Sequence, residues 1–468
     1  MAVRDVAVGQ DGTVIISTES GSVWTRVKRA KVKMQGGMGK EFKFARVGSL
    51  TRIVAVRANS AGAYAAIRND VELQDVEIER ESLGRDLIRA IPLGEVVEEL
   101  SGERQTSSEE SDSDESVEDV PNENGHLQRS WTELFSDLSP PSDSCDVALA
   151  TRDGHHLYVH KTMLACRSPT FREFLKNSMP TIFKVKTFDG ILEIQIDADV
   201  VATAQLIHYI YTDTLLDLPV EPEKAILKPE REEMVRQLRT LASKFQLKHL
   251  SDLLSSSWHF AITPFQKSLQ KDLQTLQTMS STLAPTDAIL CLADREVRCH
   301  SFVLAVRCPF FEAMLDNAGL GGGWLASRRR EALAEGTSEF RIQLKHLSYN
   351  IMSLVLEHIY SDAGLELFDH IRKATVDEFL EFVIEVMAVS NELLLDRLKD
   401  ICQSILSRFG ILLKEFRLIL VTLRNVATIL EEADTYAAEQ LKDSCLDYCA
   451  INAEALLENR YFTTISVN

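Results

Sequence analysis

Hydrophobic positions change their period along the chain, and the changes divide it. Over residues 3–68 they come in short runs separated by turn signals. Val6-Ala7-Val8 and Val14-Ile15-Ile16 flank Gly9-Gln10-Asp11-Gly12, Val23–Val27 follows Ser20-Gly21, and Phe42–Val47, Thr51–Arg57 and Ala63–Arg68 are broken at Gly48-Ser49 and Ala61-Gly62. Such spacing predicts short antiparallel strands of a sandwich, barrel or propeller blade. Leu87-Ile88, Ala90-Ile91 and Leu93 predict a final strand or helix against that sheet.

From residue 146 the pattern mixes both periods. Asp146–Ala150 and Leu157–Val159 bracket Asp153-Gly154 as a hairpin. His160 then opens a turn, and Ser168-Pro169 places Pro at the first position of a helix bearing Phe171, Phe174 and Leu175. Ile191–Ile196 alternates as a half-buried strand, Val200, Ala204, Ile207 and Tyr211 share one helix face, and Met234–Phe245 and Leu247–Leu254 add two helices.

Residues 285–406 repeat this order. His300, Leu304, Ala305, Arg307, Pro309, Phe311 and Leu315 echo His160, Leu164, Ala165, Arg167, Pro169, Phe171 and Leu175 at one constant offset. Asp287–Cys291 and Phe340–Leu344 are the matching strands, and Ile359-Tyr360-Ser361-Asp362 answers Ile210-Tyr211-Thr212-Asp213. The second copy has a longer interval, taken up by Gly319–Gly323 and a basic segment, Arg328-Arg329-Arg330. Phe265–Met279 reads as a helix connecting the copies. Beyond residue 364 the period is 3.6 almost throughout: Phe379–Met387, Glu392–Leu406, Leu412–Leu423, Asn425–Asp434 and Leu441–Cys449 predict paired helices.

Composition adds little to this division, but charge adds a linker. The 468 residues are 45% hydrophobic with a net charge of −19, which suits a globular chain of several domains and argues against general nucleic-acid binding. Twelve acids against Arg104 alone fall in residues 95–126, a stretch that cannot bury a core. Ser111 and Ser113 each have an acid near the third following position and are candidate sites for an acidophilic kinase. Just after it, Trp131, Leu134, Phe135 and Leu138 have the spacing of a short amphipathic helix.

Candidate chemistry is sparse. The eight cysteines are scattered in mostly apolar runs, as reduced thiols of the cytoplasm or nucleus would be. His160 and His300 lack further Cys or His at ligand spacing, so hydrogen bonding is the expected role. Gly36–Glu41 lacks the spacing and the Ser/Thr of a phosphate loop. No catalytic residue, cofactor or metal is expected, and no membrane span.

The repeated unit resembles the BTB/POZ domain: an Asp-hydrophobic strand (Asp146-Val147, Asp287-Ala288), the His-to-Phe core (His160–Phe171, His300–Phe311) and the Tyr-Thr/Ser-Asp helix end. The tail resembles the BACK helices of cullin adaptors, and Val8–Trp24 resembles a blade of the chromosome-condensation-regulator propellers. The fold class expected is α+β: an incomplete β-propeller-like all-β segment (1–94), an acidic linker (95–129), a first BTB/POZ domain (130–262), a connecting helix (263–284), a second BTB/POZ domain (285–363) and a BACK-like helical region (364–460). A closed propeller needs more blades than residues 3–68 can form, so either the chain is truncated upstream, the favoured expectation, or these strands make an open sheet with an exposed edge.

The layout is similar to propeller–BTB adaptors of cullin-3 ubiquitin ligases. The resemblance implies a non-catalytic substrate receptor, with cullin-3 on the second copy and an unidentified client as partners. It puts candidate cullin contacts at Phe311, Met314, Leu315, Leu333 and Glu335, where Leu333-Ala334-Glu335 matches a hydrophobic-x-Glu triplet. It makes Trp131, Leu134, Phe135 and Leu138 candidates for a pairing helix, between chains as a homo-oligomer or within one chain. The alternative is a BTB-oligomerised scaffold or inhibitor of a signalling kinase or chromatin factor. Nucleotide exchange on a small GTPase would need the missing blades.

Overall fold

A computed structural model describes residues 2–10, 12–28, 42–48, 50–61, 63–69, 76–94, 96–97, 145–176, 182–188, 191–216, 228–255, 268–276, 279, 283–315, 339–407, 409–413, 416–419 and 425–458. Met1–Glu79 with Phe368–Asn468 make one compact unit, and Arg80–Leu367 make another.

The first unit opens with four antiparallel strands in meander order: β1 (Val3–Val8), β2 (Val14–Thr18), β3 (Val23–Lys28) and β4 (Phe42–Val47). A separate hairpin follows, β5 (Ile53–Ala58) with β6 (Tyr64–Arg68). Ile15 and Val23 from the sheet meet Ile53 and Val56 from the hairpin in one core. The two are also tied by main chain and charge. Ile53 N–H donates to the Gly21 carbonyl (2.9 Å), and Asp5 accepts from Val56 N–H (2.9 Å) and Arg57 (3.0 Å). Gly21 has φ of +75°, and a Cβ there would stand 2.7 Å from Arg52 Cα, so only glycine fits this approach. The predicted strands therefore form, with β4 in the first sheet and β5 and β6 in a hairpin of their own.

Leu83–Ile88 form α1, a helix and not a strand. It lies in the second unit, where it packs on the repeated copies, whereas the sequence pattern groups it with the β-strands of the first. The reason is visible in its buried residues, Leu83, Leu87 and Ile88, which form a helical stripe matched to helix surfaces.

The first copy contains β7 (Val147–Ala150), β8 (His156–Val159), α2 (Lys161–Arg167), α3 (Pro169–Leu175), β9 (Val185–Phe188), β10 (Ile191–Gln195), α4 (Val200–Thr212), α5 (Lys228–Phe245) and α6 (Lys248–Ser255). Its sheet order is β8-β7-β10-β9, with β10 parallel to β7. The edge strand β9 is exposed along its whole length and escapes the hydrophobic pattern for that reason. Ser168 caps α3 as its Pro predicts: its hydroxyl accepts from Phe171 N–H (3.1 Å) and donates to the Phe245 carbonyl (2.8 Å), joining α3 to α5.

After α7 (Ser268–Leu276), the second copy repeats β11 (Ala288–Cys291), β12 (Glu296–Cys299), α8 (Ser301–Arg307), α9 (Pro309–Leu315), β13 (Phe340–Gln343) and α10 (Tyr349–Ser361). Its sheet order is β12-β11-β13, again with one parallel pair. In both copies an aspartate just before the first strand anchors the following helix. Asp146 accepts from Lys161 N–H (2.6 Å), and Asp287 accepts from Ser301 N–H (2.8 Å).

In the first unit, α11 (Val376–Glu392) and α12 (Asp396–Ser407) precede a hairpin of β14 (Phe409–Leu413) and β15 (Phe416–Ile419), then α13 (Val426–Thr435), α14 (Glu439–Ile451) and α15 (Ala453–Glu458). The hairpin corrects the helix predicted over Leu412–Leu423 at its described residues, 412–413 and 416–419. Gly410 disfavours a helix, while Phe409, Ile411, Phe416 and Ile419 suit strands.

The helix pairs share one corner. Gln246, Leu394 and Ala437 all have φ between +50° and +57°, and the next residue's N–H reaches back five residues: Leu247 to Ala242 (2.9 Å), Leu395 to Ser390 (2.8 Å) and Ala438 to Ala433 (2.7 Å). This is the hydrogen-bond pattern of a Schellman turn, made without glycine. Gln440 on α14 then clasps the segment after the β-hairpin, accepting from Glu77 N–H (2.8 Å) and donating to the Glu77 carbonyl (3.2 Å).

Candidate interaction site

The repeated motif builds the same lock twice. His160 N–H donates to the Tyr211 hydroxyl at 2.9 Å, and His160 Nδ1 lies 2.9 Å from that same oxygen. His300 and Tyr360 give the same two distances. Both phenols are fully buried, and burial pushes their pKa well up, so each stays neutral. A hydroxyl that accepts from the backbone has one proton to give, so it donates to Nδ1 and leaves the imidazole proton on Nε2. Burial lowers the His300 pKa, in keeping with a neutral ring. The two histidines thus fix the end of the second hairpin strand to the long helix of each copy, the hydrogen-bonding role expected from the sequence.

Two residues after each tyrosine comes the aspartate of an Arg–Asp corner. Asp213 and Asp362 end α4 and α10 with φ of 61° and 53°, a conformation that aspartate tolerates better than most residues. Arg167 pairs with Asp213, and Arg307 Nη2 with Asp362 at 2.6 Å. Each corner also receives a second acid from a helix outside its own copy. Arg167 Nη1 binds Asp272 of α7 (2.6 Å) and Ser268 (3.1 Å). Arg307 Nη1 binds Asp86 of α1 and the Ser82 hydroxyl (2.9 Å). The corner acids then cap the incoming helices: Asp362 accepts from Ser82 N–H (3.0 Å), and Asp213 from Leu269 N–H (2.6 Å). Burial works against the charge of Arg167, but Asp213 and then Asp272 outweigh it, and its pKa is raised.

The exchange is reciprocal. Helix α7 directly precedes the second copy and pairs with the arginine of the first. Helix α1 precedes the first copy and pairs with the arginine of the second. Each packs on both copies, α1 on α4 and α8, and α7 on α10 and α2. Between the copies His160 stacks on Phe302, with ring centroids 4.2 Å apart and planes 16° from parallel. The result is a pseudo-twofold pair within one chain. A Cβ on Gly84 would stand 3.0 Å from Thr212 Cα, a tight contact that glycine avoids where α1 meets α4.

The family model of the BTB/POZ domain matches residues 135–259 and again 276–409, more than half of the chain. The chain belongs to the BTB/POZ family. BTB domains are in general non-catalytic interaction modules, and the relatives support a role in protein interaction for this chain. It is similar to "BTB/POZ domain-containing protein 1" of Schizosaccharomyces pombe, with 27% identity over 98% of the chain and 33% of that protein. It is also similar to "Inhibitor of Bruton tyrosine kinase" of Homo sapiens, with 28% identity over 50% of the chain and 15% of that protein, and of Mus musculus, with 30% over the same shares. The chain therefore spans a third or less of these relatives.

In the second BTB domain, Phe311 is fully buried, whereas Met314 and Leu315 are half-buried on the last turn of α9. Leu333 and Glu335 lie outside the described residues, as do Ser111 and Ser113. So do Trp131, Leu134, Phe135 and Leu138. Among the described residues, Ser82, Asp86, Ser268 and Asp272 join the BTB domains, and their spacing did not single them out beforehand. A signal existed: Ser82-Leu83-Gly84-Arg85-Asp86-Leu87 and Ser268-Leu269-Gln270-Lys271-Asp272-Leu273 share Ser, Leu, Asp and Leu at the same four places. None of the eight cysteines forms a disulfide, and all are buried. Burial pushes the Cys299 thiol up to about 12 and Cys308 to about 11, so neither is poised as a nucleophile. Among the described residues no three ligating side chains gather as a metal site, and no helix is long and apolar enough to cross a membrane.

Proposed function

We propose that this chain is a non-catalytic adaptor that acts as substrate receptor of a cullin-3 RING ubiquitin ligase, in the cytoplasm or nucleus. The second BTB domain holds the cullin, and the first BTB domain or the N-terminal β-sheet recruits the client. The observation that carries the reading is the state of α9. Phe311 anchors it in the core, while Met314 and Leu315 are only half-buried beside the exposed Glu312 and Ala313. An apolar pair on a helix held by its own core side chain is a rigid docking element, of the kind that interface anchors require. The cis pairing supports the same reading, because the Arg307 corner already has its partner inside the chain and α9 is a separate element.

The test is capture of the purified cullin-3 N-terminal region by the full chain and by its Met314→Asp and Leu333→Asp variants. Capture by the wild type, reduced at least tenfold in Met314→Asp, is expected. Absence of capture by the wild-type chain would remove the ligase reading and leave a scaffold. Undiminished capture by both variants would move the contact elsewhere.

A further inference from the structure

Strands β3 and β4 carry an ordered pattern on the face turned away from the core of Ile15, Val23, Ile53 and Val56. The cross-strand partners on that outer face are Trp24 with Arg46, Arg26 with Phe44, and Lys28 with Phe42. Three successive pairs thus each set one aromatic ring opposite one cation. Side chains on one face of a strand recur about every 6.8 Å, so rings and charges form a regular grid. Arg26, Lys28, Phe42 and Phe44 are exposed, Phe44 by 46%. The Arg26 guanidinium stands 3.8 Å from the centre of the Phe42 ring, a cation–π contact that holds the charge at the surface. Among the described residues neither Arg26 nor Lys28 forms an ion pair. No carboxylate stands among the paired residues of β1–β4 on this face.

An occupant that suits the face must meet both halves of the pattern. A second copy of the chain, seated face to face, would bring like cations together. An acidic peptide would satisfy the cations and leave the exposed rings without flat partners. A single-stranded nucleic acid offers an anionic backbone and, unlike a duplex, unpaired base faces. The net charge of −19 does not oppose this locally, because residues 26–46 carry eight Lys and Arg against Glu41 alone. The field near the face is therefore positive.

We propose that the outer face of β3 and β4 binds single-stranded nucleic acid, with bases stacked on Phe44 and against the Phe42–Arg26 pair, and phosphates on Arg26 and Lys28. Stacking on rings accepts any base, so the site has little sequence preference. Neither α9 nor a cullin takes part, so this reading and the ligase reading can each fail alone.

The test is fluorescence anisotropy of the full chain with labelled oligothymidylate and oligouridylate of about fifteen nucleotides, and with a duplex of the same length. At about 50 mM salt the chain should bind the single strands at least tenfold more tightly than the duplex. The logarithm of affinity should fall against the logarithm of salt with a slope of about 1–2, as expected for two phosphate contacts. Phe44→Ala should weaken binding at least fivefold, about the loss of one stacked base. Phe44→Tyr keeps the ring and should bind as the wild type does, and Arg26→Ala should lower the salt slope by about 0.7. Three outcomes would overturn the proposal: no binding of either oligonucleotide at low salt, duplex bound as tightly as single strand, or equal binding by the wild type and Phe44→Ala. Preference for a polyglutamate peptide over both oligonucleotides would assign the face to an acidic protein segment and overturn it as well.

Discussion

Arg307 and Asp86 pair across 221 residues of chain. Arg307 is buried, and it also holds Asp362 at 2.6 Å. Removing the guanidinium leaves two carboxylates near each other without a cation. Arg307→Ala should therefore destabilise the chain by about 3–5 kcal/mol, and Arg167→Ala by a similar amount. A double-mutant cycle of Arg307→Ala with Asp86→Ala, followed by urea unfolding, should show coupling on the order of 1 kcal/mol or more. Additive effects would mean that the pair contributes nothing across the copies.

Tyr211→Phe and Tyr360→Phe should each cost about 1–3 kcal/mol, because each strips a buried backbone N–H and a ring nitrogen of their shared partner. The two losses should be alike, as the distances are. Denaturant unfolding of both variants checks this, and a large difference between them would show that the locks are not equivalent.

His208 is buried against the Thr214 carbonyl (2.9 Å), and burial pushes its pKa down to about 4. An unfolded histidine titrates near 6.5. Below that value the unfolded chain gains a proton that the folded chain refuses until about pH 4. Stability from this residue is therefore full above pH 6.5 and lost as pH falls towards 4, by up to about 3 kcal/mol. His208→Gln should flatten unfolding midpoints measured across that range.

Asp400 shifts the other way. Burial first, and then the charges of Glu79 and Asp396, raise it to about 6, although a backbone hydrogen bond from Glu79 opposes them. A raised carboxyl favours folding in its protonated form. Its contribution is greatest below about pH 4 and is lost as pH rises to about 6. Asp400→Asn keeps an acceptor for Gln403 and should raise the melting temperature at pH 7.5 more than at pH 4.5. A lower melting temperature at both pH values would contradict this.

The parts of the fold that repeat were legible before any coordinates. His160, Arg167, Pro169 and Phe171 name their own partners through His300, Arg307, Pro309 and Phe311, because a lock of buried polar groups tolerates few substitutions. Three features were not legible, each for a physical reason. Strand β9 has no buried face, so no alternation marks it. Leu412–Leu423 has helical spacing of leucines, yet the described part of it, with Phe409–Ile411 before it, pairs as the strands Phe409–Leu413 and Phe416–Ile419. The role of Asp86 and Asp272 depends on which copy each helix touches, a matter of tertiary placement that spacing does not carry, even though the Ser-Leu-x-x-Asp-Leu pattern is plain once the pair is seen.

The central claim is that the two BTB copies pair within one chain, and an isotope-mixing cross-link tests it most directly. Chains carrying His160→Cys and Phe302→Cys, one pool in ¹⁴N and one in ¹⁵N, are mixed at micromolar concentration and bridged with a short bis-maleimide. The account predicts an adduct of single-chain mass whose linked peptides carry one label only. Adducts of two-chain mass, with half of the linked peptides carrying both labels, would place the pairing between chains and contradict it.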